Sequence, residues 1–243
     1  NIQKENPPTD MSLYIPAFED LSKYAESFDS IREVLKKTEE EFGDDTLGKI
    51  IDEVYGNGVF FQKFIKAPGS ARPHYGREGG LLANTVRVTE LCVKLSDSYD
   101  FTKQEKSILI AAALICRIGA IDAFEFKDCM PVETKKGVLL GINNLTMTRV
   151  SSALKCVSSE IGKSGKTINQ ESLYRFLHAV SSYNSMDMKP MTKEALLLAS
   201  VIRTDTELVE SIEFIQNDVN LSEEFTAYDS SMRRRYYTGN KSN

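Results

Sequence analysis

The sequence predicts an all-α protein. Three observations lead there: apolar residues recur at helical spacing, strand signals are scarce, and helix ends are marked by capping residues, Gly and Pro. From about Ala17 to Tyr55 the periodicity predicts two or three amphipathic helices, interrupted around Gly43-Asp44-Asp45, where Asp can cap the next helix. Ala67-Pro68-Gly69-Ser70 and Arg72-Pro73 oppose helix continuation and predict a loop leading into a Gly79-Gly80 turn. From Leu81 to about Leu95 a helix places Leu82, Val86, Thr89 and Val93 near one face. Thr102-Lys103-Gln104-Glu105 matches a capping box, opening a helix through Ile118 that is apolar almost all round from Ile108 to Ile115. A helix without a polar face has to be central.

A loop containing Cys129-Met130-Pro131 is predicted next, then helices at about Asn144 to Ile161, Gln170 to Ser182 and Thr192 to Gln216, the last with a break near Thr204-Asp205. Gly162-Lys163-Ser164-Gly165-Lys166 lacks the GxxxxGK[ST] spacing of a phosphate loop and follows no strand, so it predicts a turn between helices. Three segments result: an N-terminal helical extension and linker over 1–70, a main helical domain over 71–217, and a basic C-terminal tail over 218–243.

Composition excludes some classes of protein. The 243 residues are enough for one large or two small domains with a sizeable core. No apolar run approaches the roughly 18 residues of a membrane span, and the polar N-terminus lacks a signal peptide's basic and apolar regions, so a cytoplasmic chain without a membrane partner is expected. The four cysteines, Cys92, Cys116, Cys129 and Cys156, have no CxxC spacing, and with only His74 and His178 they make no recognisable zinc pattern. A net charge of −5 argues against polyanion binding by the whole surface. It leaves room for a local patch, and Arg233-Arg234-Arg235, followed by Tyr236-Tyr237, is the candidate for nucleic acid. The bland reading is a basic end that neutralises the acidic N-terminal helices.

Gly79-Gly80-Leu81-Leu82-Ala83-Asn84-Thr85 and Ala112-Ala113-Leu114-Ile115-Cys116-Arg117-Ile118-Gly119-Ala120 resemble the GGLLxHT and AALLHDIGK segments of HD-domain metal-dependent phosphohydrolases. Gly137-Val138-Leu139-Leu140-Gly141-Ile142 resembles GxLLGHI of the YhaM-type exoribonucleases. Ser181-Ser182-Tyr183 resembles that family's SHH, and Lys189-Pro190-Met191-Thr192-Lys193-Glu194-Ala195 its KPxTxEA. HD domains of conjugative relaxases share parts of the pattern. The resemblance covers roughly residues 72 to 217 and implies an HD-like helical bundle; the exoribonucleases' oligonucleotide-binding barrel is not evident.

What the resemblance implies about chemistry is a loss. Family ligand positions are occupied by Asn84, Cys116, Arg117, Ile142, Ser182, Tyr183 and Ile202, of which only Cys116 is a good transition-metal ligand. Arg117 adds a fixed cation where a divalent metal would sit, and Ile142 and Ile202 bring no lone pairs. The implied protein is a pseudoenzyme with no metal, no cofactor and no catalytic residue, acting as a binding, scaffold or regulatory subunit. A protein partner is expected, nucleic acid is a candidate, and a homo-oligomer stays open.

Two other readings compete with it. In one, the vacated pocket senses a nucleotide or phosphate through Arg117 and His74, the one imidazole retained at a family position. In the other, a relocated phosphodiesterase site uses Glu125, Asp128 and Asp205. Arg117, near the core, needs neutralisation, for which Asp122, Asp205 or a backbone carbonyl is available. His178, in an apolar helix, fits a satisfied core or subcore residue, and Cys116 a small buried core residue.

Overall fold

A computed structural model describes residues 21–72, 74–163, 167–218 and 224–239, and its fold is all-α with one small hairpin. The first helices are α1 (Leu21–Phe42), α2 (Thr46–Tyr55) and α3 (Gly58–Lys66). The expected interruption at Gly43 is present, with Gly43 at φ +80 and the Asp44 carboxylate accepting from Thr46 N–H at 3.0 Å. The expected start at Ala17 lies outside the described residues. Helix α3, capped by Asn57 onto the N–H groups of Val59 and Phe60, was not among the predicted elements.

Helix α4 (Gly80–Ser96) starts at the predicted glycine pair. Gly79 has φ +76, and a Cβ on Gly80 would stand 2.0 Å from Tyr75 O, so one glycine supplies a left-handed turn and the other a close approach. Helix α5 (Lys103–Ile115) opens with the full capping box, Thr102 and Glu105 each bonding the other's backbone. It ends three residues short of the predicted Ile118, and a turn leads into α6 (Ala120–Ala123).

The loop predicted around Cys129 is instead a hairpin of β1 (Phe124–Lys127) and β2 (Met130–Glu133), antiparallel, with Asp128 and Cys129 both at positive φ in its turn. Helix α7 (Lys135–Lys163) begins well before Asn144, with non-helical geometry at Gly141 (φ +71). The turn predicted from Gly162 starts where α7 ends, and Ser164, Gly165 and Lys166 lie outside the described residues. Helix α8 (Gln170–Ser182) has the predicted bounds.

Helix α9 (Lys193–Gln216) is continuous, correcting the expected break at Thr204-Asp205. The Asp205 side chain bonds groups on other elements and does not compete with its own backbone.

Helix α5 is central. Ile108 to Ile115 are all buried, and α5 contacts α1, α2, α4, α8 and α9. Residues on both sides of residue 70 supply one core, which joins Phe28, Leu35, Ile50 and Phe64 to Leu81, Leu109, Phe176 and Leu198. Among the described residues no helix is long and apolar enough to cross a membrane.

Candidate functional site

The site is built where α4, the α5–α6 turn, the end of α8, the middle of α9 and the loop before α4 meet. Gly119, retained in the resembling motif, is required by packing: a Cβ there would lie 2.4 Å from Ile142 O and 2.6 Å from Thr146 N. Thr146 ties the turn to α7, its hydroxyl donating to Cys116 O at 3.1 Å and accepting from Gly119 N–H at 3.0 Å.

The resembling positions carry few free groups. Asn84 is buried and donates through Nδ2 to Asp205 Oδ2 at 3.1 Å, while its Oδ1 has no partner. Asp205 also accepts from the Tyr75 hydroxyl at 3.0 Å and lies 3.2 Å from Arg87 Nε. Burial raises the Asp205 carboxyl above the usual range, against the opposing pull of Tyr75, Arg87, Asn84 and the nearby Arg117.

Arg117 donates through Nη2 to Gly69 O at 2.8 Å, and its buried Nε has no partner. Of the three neutralising groups considered, the structure uses the backbone carbonyl. Asp122 is held instead by Arg149, with Nε at 2.9 Å.

Cys116 is fully buried, and burial pushes its thiol up to about 12, only partly offset by Arg117. It is a core side chain with no thiolate at neutral pH. Burial also pushes the Tyr183 phenol up, although the Arg117 charge lowers it. Ser182 is buried with its hydroxyl unpartnered, Ile202 belongs to the core, and Ile142 is half-buried with its carbonyl over Gly119.

His74 reaches Glu210 Oε1 through Nδ1 at 3.1 Å, and its pKa is lowered, first by burial and then by Arg117 and Arg72, with Glu210 opposing. A carboxylate therefore faces the imidazole proposed for phosphate. His178 accepts from Met191 N–H at 2.9 Å, satisfied at the edge of the core as expected.

The structure thus joins Asn84 directly to Asp205 and sets Arg117 within electrostatic reach of Asp205, His74 and Tyr183. Tyr75 and Arg87 complete the network and were missed. Arg87 stands three residues after Asn84, so helical spacing puts both on one side of α4, a signal available in the sequence. Tyr75, in a loop at φ +56, carries no comparable signal.

Glu125 and Asp128 lie exposed on the hairpin while Asp205 is buried on α9, and among the described residues no His, Cys, Asp or Glu cluster could hold a metal ion. The arrangement is a closed set of donors around one carboxylate, with a second cation held by a carbonyl.

The C-terminal segment is a closed loop. Phe225 bridges to Tyr237 and Asp229 to Arg234, Asp229 Oδ1 accepts from Ser231 and Met232 N–H, and the Tyr236 ring contacts Phe214 of α9 at 5.8 Å. Arg233, Arg234 and Arg235 are exposed. Among the described residues they form no direct ion pair; Arg234 Nε turns back to Met232 O at 3.2 Å.

Comparison with protein-family models, with curated proteins and with solved structures finds no match.

Proposed function

We propose that this chain is a noncatalytic, HD-like helical protein whose work is binding, as a scaffold or regulatory subunit. The observation that carries the reading is Arg117: a fixed guanidinium, anchored on Gly69 O, at a position where the resembling hydrolases bind a metal through a carboxylate. Metal-assisted phosphoryl chemistry needs a held cation with open coordination positions and lone pairs around it. Here Arg117 repels a cation, Cys116 stays a thiol, and Ile202 is hydrocarbon. The Asp205 carboxylate is already bonded to Tyr75 and Asn84 and paired with Arg87, and the Glu210 carboxylate faces His74.

The test is incubation of the purified chain with manganese, removal of free metal, elemental analysis and a phosphodiesterase assay on an activated diester. The reading expects no stoichiometric metal and no metal-dependent turnover. Bound manganese with hydrolysis that is lost on Asp205→Asn would overturn it.

A further inference from the structure

We propose that β1 pairs edge to edge with β1 of a second copy of this chain, making a symmetric dimer with a four-stranded sheet. The argument starts from hydrogen-bond parity. In an antiparallel pair, opposed residues alternate between those that exchange N–H···O bonds and those whose backbone groups point away.

Thr134 N–H donates to Ala123 O at 2.9 Å, and the register pairs Glu125 with Val132 and Lys127 with Met130, so the bonded parity runs through Ala123, Glu125 and Lys127. Phe124 and Phe126 therefore turn their backbone groups outward. The Phe124 N–H is taken by Ala120 O. Phe126 N–H and C=O have no partner among the described residues.

The other edge is blunted. Pro131, opposite Phe126, has no N–H, and its ring packs against Gly76. One open edge therefore remains on this sheet.

What fits that edge is the strand itself. Phe124-Glu125-Phe126-Lys127, run antiparallel to itself about Phe126, places Phe126 opposite the partner's Phe126, where each supplies the N–H and C=O that the other lacks. In that register Glu125 faces the partner's Lys127, and symmetry repeats the pair. Both side chains are exposed and have no ion-pair partner among the described residues. A shift of one residue would break the parity and separate the charges.

The Phe126 ring is 41% exposed beside a shallow groove of about 540 Å³ lined also by Val59, which is 71% exposed, and by Lys63 and Phe124. The partner's Phe126 projects from the same face of the joined sheet and covers this apolar surface.

A contact made by one short strand buries less than the roughly 1,200–2,000 Å² of a stable interface, so the dimer is weak and concentration-dependent. Sedimentation velocity over a concentration series tests it with the wild type, Glu125→Lys and Lys127→Glu. The wild type is expected to shift from monomer to dimer. Each single variant turns both cross-strand pairs into like charges and should weaken association by about tenfold or more. An equimolar mixture of the two variants recreates both opposite-charge pairs and should recover the dimer.

A wild type that stays monomeric throughout overturns the proposal, as does a dimer indifferent to the single substitutions. A mixture that fails to reassociate overturns the register. If an acidic extended peptide binds this edge while the chain alone stays monomeric, the occupant is a different partner and the proposal falls.

Discussion

Glu39 shows how much one side chain can change when a helix end is buried. It lies in the last turn of α1, is 2% exposed, and accepts from Gly48 N–H with both oxygens at 3.0 Å, taking a first-turn donor of α2 for which Asp45 makes no cap bond. Burial, reinforced by Asp44 and Asp45, raises its pKa to about 8 although the Gly48 bond lowers it. A raised acid contributes stability when protonated, so that contribution is complete below the ordinary value of 4.5 and is lost as pH rises through about 8. Glu39→Gln should therefore flatten the fall in urea-unfolding stability between pH 4.5 and about 8. An unchanged slope would show that Glu39 ionises freely in the native state. None of this was legible in Glu39-Glu40-Glu41, a run with the composition of a solvated face. Asn84 and Arg117, by contrast, were legible as positions, because the glycines and alanines around them are fixed by close packing. The loop groups around them were not: Tyr75, which bonds the same Asp205 carboxylate as Asn84, and Gly69, whose carbonyl holds Arg117, face the site only because of loop conformation.

At the scale of elements, what the sequence made readable was what local chemistry controls. Thr102 and Glu105 bond each other's backbone within one turn, so the start of α5 could be read from four residues; Asn169 similarly caps α8 through Ser172 N–H. The hairpin was hidden because its strands have four residues each and its turn is Asp128-Cys129, where positive φ usually calls for Asn-Gly or Asp-Gly. Packing between helices was hidden as well. Arg175 of α8 pairs with the fully buried Glu194 of α9 and lies 3.4 Å from Glu105 of α5, which also takes Lys193 at 3.0 Å. Despite partial burial, the Glu105 carboxyl is lowered by the Thr102 N–H, Lys193 and Arg175. Arg175→Met removes the cation that compensates Glu194 and should cost about 3–5 kcal/mol in denaturant unfolding. Adding Glu194→Leu should recover most of it, since the penalty lies in a stranded charge. A loss below about 1 kcal/mol in the single variant would mean that the pair is solvated and weak.

For the whole molecule, the question is whether the stretch resembling an HD domain is a folding unit. The segment from 72 to 217 carries the motif-like residues, and the helices before it looked like an addition. Their side chains are nevertheless inside the core: Phe28, Tyr55, Phe61 and Phe64 pack ring to ring, with centroids 4.9 to 6.3 Å apart. The Tyr55 hydroxyl donates to Leu114 O at 2.6 Å, at the C-terminal end of the apolar stretch of α5. From Ile108 to Ile115 helix α5 has no polar face to show to water, so among the described residues the covering supplied by α1 and α2 has no substitute. Uncovering a Leu, Ile or Phe side chain costs about 1.5–3 kcal/mol each, and total stabilities are only about 5–15 kcal/mol, so losing several such contacts removes the native state. A fragment of residues 71–217 should therefore lack a cooperative urea transition and bind a hydrophobic dye, whereas the full chain unfolds in one step. If the fragment instead unfolds cooperatively with near-native circular dichroism, α1 and α2 are dispensable to the fold and their burial serves another purpose.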